Sequence, residues 1–188
     1  LFDLTKDVIR AKKTDVFVHC AAAVHKAEAR IGTYRKVNTD LTLALAERAA
    51  VSGVKRFIFF SSIGVNGQQS DLPFHANDLA HPYDAYTKSK YEAELGLKVI
   101  AEKSNMEIVI IRPPLIYGAN APGNFSRFVK LAKLPLPKPL GAINNKRSFV
   151  SVENVVDFTL LCLTHPAAAN QTFLVSDGYD LSTSDFLS

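Results

Sequence analysis

Cysteine is scarce in this chain: Cys20 and Cys162 stand alone, neither with a partner at metal or redox spacing. That points to a reducing, cytoplasmic setting. No apolar run approaches the roughly 20 residues that a bilayer-spanning helix needs. The opening LFDLTKDVIRAKKTD lacks a basic stretch followed by an apolar core and a small-residue cleavage site, the layout of a secretory signal. Charge of one sign is not concentrated either. Lysine and arginine number 22 against 18 acidic residues, a net charge of +4, with only a light gathering from Lys130 to Arg147. Basic stripes interleaved with stacking aromatics are absent, so a nucleic-acid partner is not expected. The five histidines (19, 25, 75, 81 and 165) show no ligand spacing, and no metal is expected. His19, on an apolar strand, reads as a core histidine. The nine glycines never form Gly-x-Gly-x-x-Gly or Gly-x-x-Gly-x-x-Gly, so the phosphate-cradling turn of a dinucleotide fold is missing.

What is present is enough for one domain with a sizeable core: 188 residues, 47% of them hydrophobic. Short β-rich runs alternate with helical periods. DVFVHC (15–20), KRFIFFSS (55–62) and MEIVIIRPP (106–114) are apolar runs short enough to be strands buried on both faces. Between the first two, Val37, Leu41, Leu45 and Ala49 recur at helical spacing, and the helix closes on Gly53 as a C-cap. A second helix spans about 84–103. Strands alternating with helices imply right-handed crossovers and a parallel sheet, an α/β doubly wound fold. After about residue 118 the texture turns loop-rich. One helical piece is expected near 124–133, then prolines at 135, 137 and 139, a strand at 147–151, a helix at 152–164 and a strand at 171–175.

Tyr86 and Lys90 sit four apart in the second helix and so share a face. Asp84 is the N-cap candidate, which puts Tyr86 in the first turn, near the positive end of the helix dipole. A neighbouring ammonium and that dipole both favour the phenolate, so the phenol is expected to fall from its usual value of about 10 toward neutrality. A phenol poised that way exchanges protons with a sugar or alcohol hydroxyl. The spacing alone describes one turn of a solvated helix equally well. Ser61 and Ser62 end the preceding strand at the carboxyl edge of a parallel sheet, where open α/β folds place ligands. Asn38 reads by itself as a helix or turn cap.

HCAAAVH (19–25), VNTDLT (37–42), KRFIFFSSIGVNG (55–67), YDAYTKSKYEAE (83–94) and IRPPLIYG (111–118) occur in the order found in the extended short-chain dehydrogenase/reductases. GNF (123–125), KRSFVSVENVVDF (146–158) and FLVSDGYDLSTSDFL (173–187) continue the likeness. The chain resembles the nucleotide-sugar epimerase and reductase branch of that family nearly end to end. The resemblance implies a Rossmann-like body over 1–118 and a nucleotide-sugar lobe over 119–188, interleaved with the sheet.

The same resemblance implies the site. Tyr86 is its acid/base, Lys90 lowers the tyrosine's pKa and holds the nicotinamide ribose, and Ser62 assists at the sugar's C4 oxygen. Ser62 is taken over Ser61 because it stands five before Gly67, as in the family's Ser-x-x-Val-Tyr-Gly pattern; Asn66 replaces that pattern's tyrosine. Asp3 and Leu4 would meet the adenine, Ala21 and Ala22 line the dinucleotide, Asn38 belongs to the cofactor set, and Pro113 and Pro114 face the nicotinamide. Asn124 and Arg147 would contact the diphosphate of a UDP-sugar. The implied cofactor is NAD, with NADP left open, and the implied activity is UDP-hexose 4-epimerisation. A 4-keto-sugar reductase uses the same three residues, and a non-catalytic nucleotide-sugar-binding module is the alternative of another class. A 4,6-dehydratase is disfavoured, because Ile63 and Gly64 stand where it carries an acidic pair. The resemblance also implies an internal fragment of a longer enzyme, with the leading strands and glycine turn absent. Pairing of two copies through the helices at 33–51 and 84–103 is implied by analogy.

Overall fold

The computed structural model describes residues 14–24, 31–119, 145–182 and 185. Asp3, Leu4, Asn124 and the expected helical piece at 124–133 lie outside the described residues. The described chain divides into two units, 1–112 with 161–174 and 113–160 with 175–188.

The first unit is built on a parallel sheet. β1 (Val16–His19), β2 (Arg56–Phe60), β3 (Glu107–Arg112) and β6 (Thr172–Leu174) lie in the order β1-β2-β3-β6, with Val18 beside Ile58 and Ile58 beside Val109. The continuous apolar runs do what a two-sided burial demands. Phe57, Phe59, Ile108 and Ile110 pack into one core with Ala46, Ala49, Ala93 and Leu97 of the helices, while Ile58, Val109 and Ile111, on the opposite side of the pleat, are just as buried.

Two long helices lie on that core. The first begins as α1 (Ile31–Tyr34), widens into a π-helical stretch (Arg35–Asp40) and continues as α2 (Leu41–Val51). It ends as its sequence proposes, with Gly53 in the left-handed region (φ +81°) and Val54 N–H returning to the Ala49 carbonyl. The second, α3 (Ala85–Lys103), starts in a reciprocal cap. Asp84 accepts from Thr87 N–H at 2.7 Å, and the Thr87 hydroxyl oxygen accepts from Asp84 N–H at 3.1 Å. α2 and α3 approach closely because Gly96 has no side chain; a Cβ there would lie 2.5 Å from Leu43 Cδ2.

In the second unit β4 (Leu115–Tyr117) pairs parallel with β5 (Arg147–Ser151), which pairs antiparallel with β7 (Asp180–Leu181). Asp177 ties this unit together by accepting from Tyr117 Oη, Asn154 Nδ2 and Ser151 N–H. α4 (Val152–Thr164) follows β5 directly, and the expected strand at 171–175 is the shorter β6. Among the described residues no helix is long and apolar enough to cross a membrane.

Candidate active site

The site forms where β1 and β2 end and α3 begins. Tyr86, Lys90 and Glu94 succeed one another at four-residue spacing on α3. Lys90 is 2% exposed. Its ammonium donates to the Phe60 carbonyl at 2.7 Å and sits 4.6 Å from the centre of the Phe59 ring. Burial lowers its pKa to about 8, against the opposing pull of Glu94 and Cys20. A cation is thus held at the sheet's carboxyl edge at some cost to folding.

The two serines after β2 have different fates. Ser61 is buried, and its hydroxyl donates to Glu94 Oε1 at 2.5 Å. Ser62, only half-buried, accepts from Gly64 N–H at 3.2 Å and caps the short 3-10 turn Ile63–Val65. That turn is pressed against the first turn of α3. A Cβ on Gly64 would lie 2.5 Å from Thr87 Cγ2 and 3.5 Å from the Tyr83 ring. The Thr87 methyl cannot retreat, since its hydroxyl is locked in the Asp84 cap. The close approach brings the Ser62 turn onto the turn that carries Tyr86. Gly64→Ala is therefore expected to destabilise the protein by about 1–3 kcal/mol, as overpacking does. A drop in the urea midpoint at unchanged m-value would register it.

Tyr86 departs from the sequence expectation. Its pKa is pushed up to about 12, first by burial, then by the Asp84 carboxylate of its own cap and by Tyr83. The Lys90 ammonium one turn on donates to the Phe60 carbonyl. The edge of Tyr34 meets the Tyr86 ring at 73°, with centroids 6.2 Å apart.

Asn38 is engaged within the protein. It is fully buried and bonded to protein on every polar atom. Its Oδ1 accepts from Ala23 N–H at 2.8 Å, and its Nδ2 donates to the Ala23 carbonyl and to Ser89 Oγ. Asn38 thereby positions the loop after β1, and Ser89 passes the tie on by donating to the Tyr86 carbonyl. The π-helical stretch makes this possible, because the extra residue turns both Asn38 and Thr39 onto α3, where Thr39 donates to the Ser89 carbonyl.

His19 is a core histidine, as its strand suggests. It is 4% exposed, shares a 2.9 Å hydrogen bond with Thr42 and lies among Phe17, Phe57 and Phe59. Burial, then Lys90, lowers its pKa to about 4. The unfolded chain therefore binds the proton first as pH falls. Stability on the order of 3 kcal/mol, present above the unfolded value of about 6.5, is expected to drain away by about pH 4. Urea midpoints of wild type and His19→Gln across that window test this; the variant should lose markedly less.

The sequence-derived candidates divide as follows. Ser62, Tyr86 and Lys90 lie in one unit at one end of the sheet, and Ala21 and Ala22 extend from β1 at its carboxyl end. Pro113, Pro114 and an exposed Arg147 at the start of β5 belong to the other unit. Sequence reasoning passed over Glu94 and Arg112, a buried ion pair closed by two hydrogen bonds of 3.0 and 2.6 Å. The four-residue step from Lys90 to Glu94 was the available signal for the first; nothing local announces the second. The residues present fit the nicotinamide end of a dinucleotide: small residues along the edge of β1 admit a close approach, and Lys90 retains N–H groups for a ribose hydroxyl. Among the described residues no cluster could hold a metal ion.

The model of the NAD dependent epimerase/dehydratase family matches residues 2–176. The chain belongs to that family. It is 48% identical over 183 residues to UDP-glucose 4-epimerase of Vibrio cholerae, a match covering 94% of this chain and 56% of that protein. It is 33% identical over 154 residues to N-acetyl-alpha-D-glucosaminyl-diphospho-ditrans,octacis-undecaprenol 4-epimerase of Escherichia coli O157:H7, covering 79% and 45%. The chain thus spans about half the length of these relatives. The crystal structure of UDP-glucuronic acid 4-epimerase from Bacillus cereus in complex with NAD superposes with a TM-score of 0.80 at 24% identity, over 91% of this chain and 56% of that one. At that identity the likeness establishes the fold, a Rossmann-like parallel sheet with helices, here incomplete relative to the full-length proteins.

Proposed function

We propose that the whole protein carrying this sequence is an NAD-dependent nucleotide-sugar 4-epimerase acting on a UDP-hexose. The observation that carries the reading is the buried Lys90 ammonium, one helical turn from Tyr86 at the carboxyl edge of the sheet. Burying a cation there costs folding more than its contacts return, whereas proton transfer by a phenol gains from it. The 48% identity to an epimerase supports the same activity.

Bound NAD supplies the acceptor and donor of the C4 hydride. Tyr86 takes the proton of the sugar's 4-hydroxyl and later returns it. Ser62 hydrogen-bonds the same oxygen, and Lys90 stabilises the phenolate and holds the nicotinamide ribose. In this reading Ala21 and Ala22 admit the dinucleotide, Asp3 and Leu4 meet its adenine, and Pro113 and Pro114 flank the nicotinamide. Asn124 and Arg147 hold the UDP diphosphate. Sugar 4,6-dehydration is disfavoured on packing grounds as well as by residue type, since a side chain at position 64 would collide with Thr87. Pairing of two copies through the two long helices belongs to the reading too, with Leu95 and Val99 exposed along α3.

The test is product analysis of the whole protein with UDP-glucose and NAD. Formation of UDP-galactose without net nicotinamide reduction is the expected result. Stoichiometric oxidation of reduced nicotinamide by a 4-keto sugar would make the protein a reductase, and binding without turnover would make it a sensor.

A further inference from the structure

Behind Ser62 and Lys90 lies a cluster that the proposed chemistry does not use. Glu94 is wholly buried one turn beyond Lys90, and Arg112, at the end of β3, is 4% exposed. The guanidinium grips the carboxylate through Nε and Nη2 and donates through Nη1 to Asn66 Oδ1 at 2.9 Å. Asn66 in turn donates to the His75 carbonyl in the loop after the Ser62 turn. This is the residue that departs from the family's tyrosine, and its amide carbonyl supplies an acceptor where a phenol ring would stand.

Consecutive residues at the end of β2 are tied to consecutive turns of α3. Lys90 holds the Phe60 carbonyl and Glu94 holds the Ser61 hydroxyl, so the next residue, Ser62, is set by both. A buried ion pair is a poor device for stability, because desolvating both charges offsets their attraction. Its retention here calls for another role. We propose that Glu94 is a positioning residue for the reaction: through Ser61 it fixes the placement of Ser62, and through its charge it keeps Lys90 cationic. This rests on the proposed epimerase reading for its consequence in catalysis, but not for its effect on Lys90.

The surroundings of Lys90 make Glu94 the candidate for that second task. β1 presents His19, which is neutral, and Cys20, whose thiol is pushed up by burial. β2 presents the Phe59 ring and the Phe60 carbonyl. On α3 itself the neighbours are Tyr86, held in its neutral form, and Glu94. β3 presents Arg112, whose guanidinium is paired with Glu94. Glu94 is the one carboxylate among these groups, and even so paired it works against a burial that favours the neutral amine.

The experiment uses the whole protein and two variants. In Glu94→Gln the amide keeps the shape but drops the charge and leaves Arg112 bare, so both changes act on Lys90 in the same direction. Competitive acetylation by trace acetic anhydride, read by peptide mass spectrometry across pH, gives the ionisation midpoint of Lys90 without needing turnover. It is expected to fall by about one unit or more, carrying the alkaline limb of the pH–rate profile with it. A midpoint equal to wild type overturns the electrostatic role. Ser61→Ala keeps every charge and removes the hydroxyl. It is expected to lower kcat about tenfold with KM and the Lys90 midpoint unmoved; an unchanged kcat overturns the placement of Ser62 through Ser61, and decides the matter if Glu94→Gln does not fold. A protein that interconverts no UDP-hexose would sink the epimerase reading while leaving the Lys90 midpoint free to answer for Glu94.

Discussion

Tyr86→Phe in the whole protein is expected to lower turnover of UDP-glucose by about 100- to 10,000-fold, the usual worth of a positioned acid/base. KM should hardly move. The ring keeps its edge contact with Tyr34 and its place in the first turn of α3, so only the hydroxyl is lost. The pH behaviour sharpens the test. With its pKa pushed up to about 12, the phenol of the unloaded protein is neutral throughout the ordinary range. A phenolate absorbance difference between wild type and Tyr86→Phe should therefore be missing near pH 9 and emerge only at the alkaline extreme. The fall needed for base catalysis must accompany loading of the site, so the kinetic limb with both ligands bound should lie well below that spectroscopic one. Wild-type turnover in the phenylalanine variant would remove Tyr86 from the reaction altogether.

Much of this arrangement is legible in residues four apart and in runs of β-branched or aromatic side chains. RFIFF and EIVIIR announce central strands because both faces of a parallel sheet are buried, so no polar alternation interrupts them. Asp84 and Gly53 mark helix ends through chemistry that is local to each cap. Spacing to Gly67 separates Ser62 from Ser61 in the sequence, but it does not announce the bond that ties Ser61 to Glu94. What spacing could not supply is whatever depends on burial or on a partner distant in the chain. The rise of the Tyr86 pKa needs the desolvation that only packing creates, and it overrides the helix dipole and the Lys90 ammonium on which the opposite expectation rested. The engagement of Asn38 depends on a π-helical stretch whose one-residue surplus leaves the apolar period of α2 intact. Arg112 meets Glu94 across 18 positions of sequence, and neither residue type signals a buried destination by itself.

Lys90→Met is expected to abolish turnover and to stabilise the fold. The folded chain holds Lys90 at about 8 against 10.5 for the free side chain, chiefly through burial. Between those values the unfolded chain binds more protons than the native one, so wild-type stability should climb as pH rises from about 8 toward 10.5. Below about pH 8 the full cost of the buried cation is present, about 3 kcal/mol for a displacement of this size. Methionine is unbranched like lysine, one atom shorter and uncharged, but it leaves the Phe60 carbonyl without its donor, a loss of about 1–2 kcal/mol. The balance favours the variant by about 1–2 kcal/mol at pH 7, several degrees in melting temperature for a domain of this size. Glu94 keeps Arg112 and the Ser61 hydroxyl, so no orphaned charge results. Urea unfolding at pH 7 and pH 10 distinguishes the terms. The variant should be the more stable at pH 7, and its advantage should shrink at pH 10, where wild type has shed the cost. A variant less stable at both values would mean that the Phe60 and Phe59 contacts outweigh desolvation, and that the cation contributes to the fold. The opposite signs on stability and turnover are what distinguish a charge kept for chemistry from one kept for structure.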